Sequence, residues 1–63
     1  MIELKRLREK KHLTQEEMAA RLGISRSAVA MWENGQNIPP TKYLVTVAEM
    51  LDCTIDELLG VNQ

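Results

Sequence analysis

Apolar positions recur along the chain in short helical registers, each bounded by residues that start or stop helices. Leu4 and Leu7, set in a charged run, predict a first amphipathic helix over residues 2–11 that ends near His12. Thr14-Gln15-Glu16-Glu17 has the form of a capping box, with the threonine oxygen accepting from a free amide while Glu17 reaches back. Met18, Ala19 and Leu22 then form the buried stripe of a second helix, and Gly23 closes it. Only Gly23 and Ile24 precede Ser25, a good N-cap, so a third helix starts almost at once after a sharp turn. Asn34-Gly35 marks its end. Gln36-Asn37-Ile38-Pro39-Pro40 cannot continue as helix through its prolines, and Thr41 is expected to cap a fourth helix carrying Leu44, Val47, Ala48 and Leu51. Thr54-Ile55-Asp56-Glu57 is a second capping box, opening a short fifth helix with Ile55, Leu58 and Leu59 inward and Gly60 as its stop. No strand pattern competes, and no repeat, low-complexity segment or linker is visible. The expected fold class is all-α: one compact five-helix bundle over residues 1–63.

The third helix divides most sharply. At 100° per residue from Arg26, one face collects Arg26, Ala30, Asn34, Ser27 and Met31, while Val29, Trp32, Ala28 and Ser25 lie opposite. An apolar, anchored side thus backs a small, polar or flexible side with one cation near the helix start. Such a face suits close approach to another surface, and Trp32, on the inner side, reads as core.

Composition narrows the classes. A chain of 63 residues, 44% hydrophobic and 27% charged, is one small globular domain with no room for a deep catalytic pocket. No apolar run approaches a membrane span or a signal core, so a soluble, cytoplasmic protein is expected. The start at Met1 and the stop at Gly60 fit a complete unit. Cys53, the only cysteine, reads as a small core residue, and the lone His12 as an exposed helix-end side chain. Without paired acid and base, metal-ligand spacing or a phosphate loop, neither enzyme, metal, cofactor nor small-molecule ligand is expected. The net charge of −1 hides an asymmetry: residues 1–42 carry eight basic against five acidic side chains, whereas residues 43–63 carry only Glu49, Asp52, Asp56 and Glu57. A +3 segment beside a −4 segment lets one face meet phosphate while the other stays anionic.

Taken together, helices two and three resemble the helix-turn-helix DNA-binding unit, over about residues 14–34. Gln15 takes the first motif position, Met18, Leu22, Ile24, Val29 and Trp32 the buried ones, small Ala19 the helix crossing and Gly23 the turn. Leu13-Thr14-Gln15, Trp32-Glu33-Asn34-Gly35 and Ile38-Pro39 extend the resemblance to the phage repressor and Cro type, the XRE family, across residues 4–60. The resemblance implies a lambda-repressor-like bundle whose third helix enters the major groove while the second crosses the backbone.

It also implies roles. Gln15 would bind phosphate and buttress the recognition helix, if it is not simply a first-turn residue. Arg26, Ser27, Ala30 and Met31 hold the base-reading positions, with Arg26 either bidentate to guanine or gripping phosphate, and Ala30 and Met31 suited to thymine methyls. Asn34 and the amides through Gly35, Gln36 and Asn37 would clamp phosphate, cap the helix, or both. Ser25 is suited to capping and touching phosphate at once, Thr14 to capping only, and Lys42 to a distant phosphate contact. Arg8 is expected to pair with Glu33, so that Arg8→Ala lowers stability. Ala30 and Met31 offer only apolar contact where the family usually hydrogen-bonds, which leaves DNA shape a larger share of readout. Binding should weaken steeply with salt, Arg26→Ala should relax one operator position, and Gln15→Ala should weaken all sequences alike.

The resulting expectation is a prokaryotic or phage-encoded, sequence-specific regulator of transcription. It would act as a homodimer, most simply repressing from a palindromic duplex operator with half-sites about one turn (~10 bp) apart. Tyr43, Val45, Met50, Leu58 and Val61 exceed what one core can hold, so helices four and five are the expected dimer surface. The alternative is a protein-interaction module, such as the antitoxin of a two-protein system, which co-purification of a second chain would favour.

Overall fold

The computed structural model describes residues 3–60. Five helices follow in order: α1 Leu4–Lys10, α2 Gln15–Leu22, α3 Arg26–Glu33, α4 Thr41–Met50 and α5 Ile55–Leu59. Leu4 and Leu7 from α1, Met18 and Ala19 from α2, Val29 and Trp32 from α3, Val47 from α4, Leu51 beyond it and Leu58 from α5 close one core. Leu13, Leu22, Ile24, Tyr43, Leu44, Met50 and Cys53 pack around it, partly buried. The architecture is the expected all-helical bundle.

Local chemistry sets the boundaries. Both capping boxes form: Thr14 accepts from the Glu17 amide at 3.0 Å and Glu17 takes the Thr14 amide at 2.8 Å, with Thr54 and Glu57 repeating the same distances. Gly23 ends α2 at φ 71°, and the Ile24 amide returns to the Ala19 carbonyl at 3.0 Å. A Cβ built on Gly23 would meet nothing within 4 Å, so the left-handed backbone, not crowding, calls for glycine there.

Three expectations change. Thr41 is the first residue of α4 and not its cap; Pro40 holds the N-cap position and its carbonyl accepts from Tyr43 and Leu44 at 2.9 and 3.0 Å. The fixed φ of proline already aims the chain into the helix, and no side-chain cap is made. Leu58, counted in the apolar surplus, is fully buried. Tyr43 and Met50 are half-buried against the core, Val45 is exposed, and Val61 lies outside the described residues.

The third change is a structural repeat that the residues do not advertise. The α1–α2 corner and the α4–α5 corner, 40 positions apart, share one backbone path. His12 and Asp52 both turn left-handed, at φ 60° and 55°. The Leu13 amide reaches the Arg8 carbonyl at 3.2 Å, and the Cys53 amide reaches the Ala48 carbonyl at 3.0 Å. A capping box follows each corner. Lys11 Nζ joins the two corners through a 2.7 Å bond to Asp52 Oδ2, linking the basic and acidic segments of the chain. The exposed ion pair pulls the Asp52 carboxyl below its ordinary range, through the hydrogen bond first and the charge of Lys11 second.

Candidate nucleic-acid interface

α3 is held from behind. Ser25 caps it by accepting from the Ala28 amide at 3.1 Å, Val29 is sealed in the core, and Trp32 lies against the Tyr43 ring with centroids 5.8 Å apart. Tyr43 therefore supports α3; its outer surroundings include Lys42 Nζ, 5.1 Å from the ring centroid, a cation over the π face. The opposite face of α3 presents exposed Arg26, Ser27 and Asn34 and half-buried Ala30 and Met31. The wheel expected this division. Backbone strain is absent along α3 itself, and Gly35, at φ 86°, takes the left-handed turn that follows.

Beneath that face runs a continuous polar chain. Arg8, buried along α1, forks onto the equally sheltered side chain of Glu33: Nε and Nη2 donate to the two carboxylate oxygens, Nη2 at 3.2 Å. The remaining nitrogen, Nη1, donates to the Leu13 carbonyl at 2.6 Å. The hydrogen bond to Glu33 raises the Arg8 pKa still further, with burial opposing it. Glu33 Oε1 also accepts from Gln15 Nε2 at 2.9 Å, and Gln15 Oε1 accepts from Arg26 Nη1 at 3.2 Å. Each interior member is satisfied, as a low-dielectric polar network requires. The Arg8–Glu33 pair agrees with the expectation, and the two bonds made by Gln15 reach α3, the helix it was expected to buttress, at Glu33 and Arg26. Their residues lie 18 and 11 positions apart, where local pattern carries no signal.

The turn after α3 is built differently from the expected clamp of backbone donors. The amides of Gly35, Gln36 and Asn37 return to the Trp32 and Met31 carbonyls at 3.4, 3.0 and 3.4 Å. The end of α3 needs those donors for its own carbonyls. Side chains take over the outer surface: Asn34 Oδ1 accepts from the Gln36 amide at 3.0 Å, Asn34 Nδ2 donates to Gln36 Oε1 at 3.2 Å, and Asn37 Nδ2 reaches the Met31 sulfur at 3.7 Å. The exposed side-chain amides of Gln36 and Asn37 are consequently the donors this turn presents. On the other flank, Gln15 and Arg26 share an open cleft of about 630 Å³ with Arg8, Glu9, His12, Leu13, Thr14 and Glu16.

A capped helix presenting an outward face, a second helix crossing behind it, and a glycine turn between them define the helix-turn-helix class. The helix-turn-helix family model matches residues 4–58, and the chain belongs to that family, of the XRE type. The HTH-type transcriptional activator BcrR of Enterococcus faecalis is 42% identical over 57 residues, 90% of this chain and 28% of the relative. The cryptic phage CTXphi transcriptional repressor RstR of Vibrio cholerae is 40% identical over 47 residues, 75% of this chain and 42% of the relative. The ImmF control region 10 kDa protein of Bacillus phage phi105 is 40% identical over 55 residues, 87% of this chain and 61% of the relative. The chain therefore spans between about a quarter and three fifths of the length of these relatives.

Proposed function

We propose that this chain binds duplex DNA in a sequence-specific manner and regulates transcription, with α3 in the major groove and residues 14–34 as its helix-turn-helix unit. The observation that carries the proposal is the outward face of α3, exposed at Arg26, Ser27 and Asn34 and backed by a core anchored at Val29 and Trp32. Arg26 reads a base edge, Ser27 accepts a choice of partners, and Ala30 with Met31 offers apolar surface to thymine methyls. Gln15, Ser25, Asn34, Gln36 and Asn37 flank that face and contact the phosphates. The names of relatives that act in transcription support this reading.

The acting form is a homodimer on a palindromic operator, and repression by covering a promoter is its simplest outcome. Val45 on α4 is exposed and available to the contact between copies. The test is selection from a random duplex library at roughly physiological salt, where non-specific binding is weak. Enrichment of a palindrome with half-sites near one turn apart is expected. Absence of enrichment from a folded protein refutes the proposal and makes a protein partner the working alternative.

A further inference from the structure

We infer that Glu33 is a specificity-determining positioning residue: through Gln15 it holds Arg26 in the conformer that reads guanine. The inference rests on the proposal that α3 reads DNA. Glu33 does not face the groove; its side chain is 5% exposed and is gripped by Arg8.

The argument is one of donors and acceptors. An ionised carboxylate accepts only, and a guanidinium donates only. Gln15 sits between one of each, with Nε2 at 2.9 Å from Glu33 and Oε1 at 3.2 Å from Arg26 Nη1. Turning the amide over would place oxygen against oxygen on one side and donor against donor on the other. Only one orientation therefore satisfies both neighbours, and the fork from Arg8 keeps Glu33 in place to impose it. Arg26 then uses one of its five N–H groups on Gln15, leaving the Nη2 and Nε edge for a two-point contact with guanine O6 and N7. A long exposed arginine otherwise samples many rotamers and reaches phosphate as readily as a base. The structure thus alters the expectation for Gln15: its loss should act at one base position beyond any general loss of phosphate affinity.

The experiment repeats the library selection with Arg26→Ala, Glu33→Gln and Gln15→Met. Arg26→Ala identifies the position that Arg26 reads, expected to be guanine in the wild-type operator. Glu33→Gln supplies a donor where only acceptors stood, so the Gln15 amide is free to reverse. Because Glu33→Gln also disturbs the pair with Arg8, its fold is checked by thermal melting, and Gln15→Met provides a second route that leaves Arg8 and Glu33 intact. In both variants guanine preference at that one position should fall about fivefold or more, beyond any change at other positions. Preference that survives both substitutions, or that falls evenly at every position, overturns the inference, as does an Arg26→Ala protein that loses no base preference. Failure of the wild-type protein to enrich any sequence is a different result: it refutes the DNA-reading proposal and removes the basis for this one.

Discussion

Replacing Arg8 by methionine isolates the electrostatic role of the buried pair, because methionine retains most of the aliphatic stem of a side chain that is buried along α1 as Leu4 and Leu7 are. The Arg8 and Glu33 side chains are 8% and 5% exposed, so water cannot replace the lost partner. Glu33 would keep only the Gln15 amide as a donor, and the Leu13 carbonyl would lose its 2.6 Å bond. Breaking one side of such a pair costs about 3–5 kcal/mol, against about 0–1 kcal/mol for an exposed one. A chain of 63 residues has a total stability of roughly 3–9 kcal/mol, so the single variant should lose at least about a third of it.

Urea denaturation read by the fluorescence of Trp32, the only tryptophan and 5% exposed, measures the change. The double variant Arg8→Met, Glu33→Met separates a stranded charge from mere loss of contacts. With both charges gone the desolvation penalty goes too, so the double variant should be more stable than Arg8→Met alone. A single variant that loses less than about 1 kcal/mol, or a double variant as unstable as the sum of its singles, would refute the reasoning.

Three further perturbations test the helix ends and corners. His12→Gly should raise stability by about 0.5–1 kcal/mol, since an exposed residue at φ 60° gains from removal of its Cβ more than it loses in chain entropy; an unchanged urea midpoint would contradict this. Thr14→Ala removes the oxygen that accepts from the Glu17 amide and should cost about 1 kcal/mol, with faster hydrogen exchange in the first turn of α2 as its local signature. Asp52→Asn keeps a residue suited to the left-handed corner but removes the charge facing Lys11. The folded-state pKa of Asp52 is depressed, so its contribution is fully present above the unfolded value near pH 4 and is lost as pH falls through the folded value. The stability gap between wild type and Asp52→Asn should accordingly be constant near neutrality and close in acid; a gap that ignores pH would exclude the ion pair as its source.

Which of these features the sequence displays depends on how far apart their residues lie. Thr14 with Glu17 and Thr54 with Glu57 are three positions apart and interact through their own backbone, so the pattern alone exposes them. The inner and outer faces of α3 likewise follow from a single periodicity. Arg8 and Glu33 are 25 positions apart and only family resemblance pairs them; the same resemblance has Gln15 buttress the third helix without naming Glu33 and Arg26 as its partners. In the one-turn helix α5, Ile55, Leu58 and Leu59 leave the wheel undecided; Leu58 takes the core and the other two stay half-buried. The repeated corners escape notice because His12 matches Asp52 and Leu13 matches Cys53 only in backbone, which side-chain patterns do not encode.

The direction of regulation belongs to a different level again. An activator and a repressor match this chain at 42% and 40% identity over overlapping stretches of the same small bundle. Nothing in a face made of Arg26, Ser27, Ala30 and Met31 distinguishes the two outcomes, because base reading fixes where a protein sits and not what a polymerase meets there. The chain covers 28% and 42% of those two relatives, so each has further sequence in which contacts with other proteins can reside. On the proposed reading, the polar chain from Arg8 to Arg26 determines the address on DNA, while the position of that address relative to a promoter determines the sign. The same protein would then repress from a site overlapping the promoter, and a change of operator position, with no change to any of its residues, would be enough to alter the outcome.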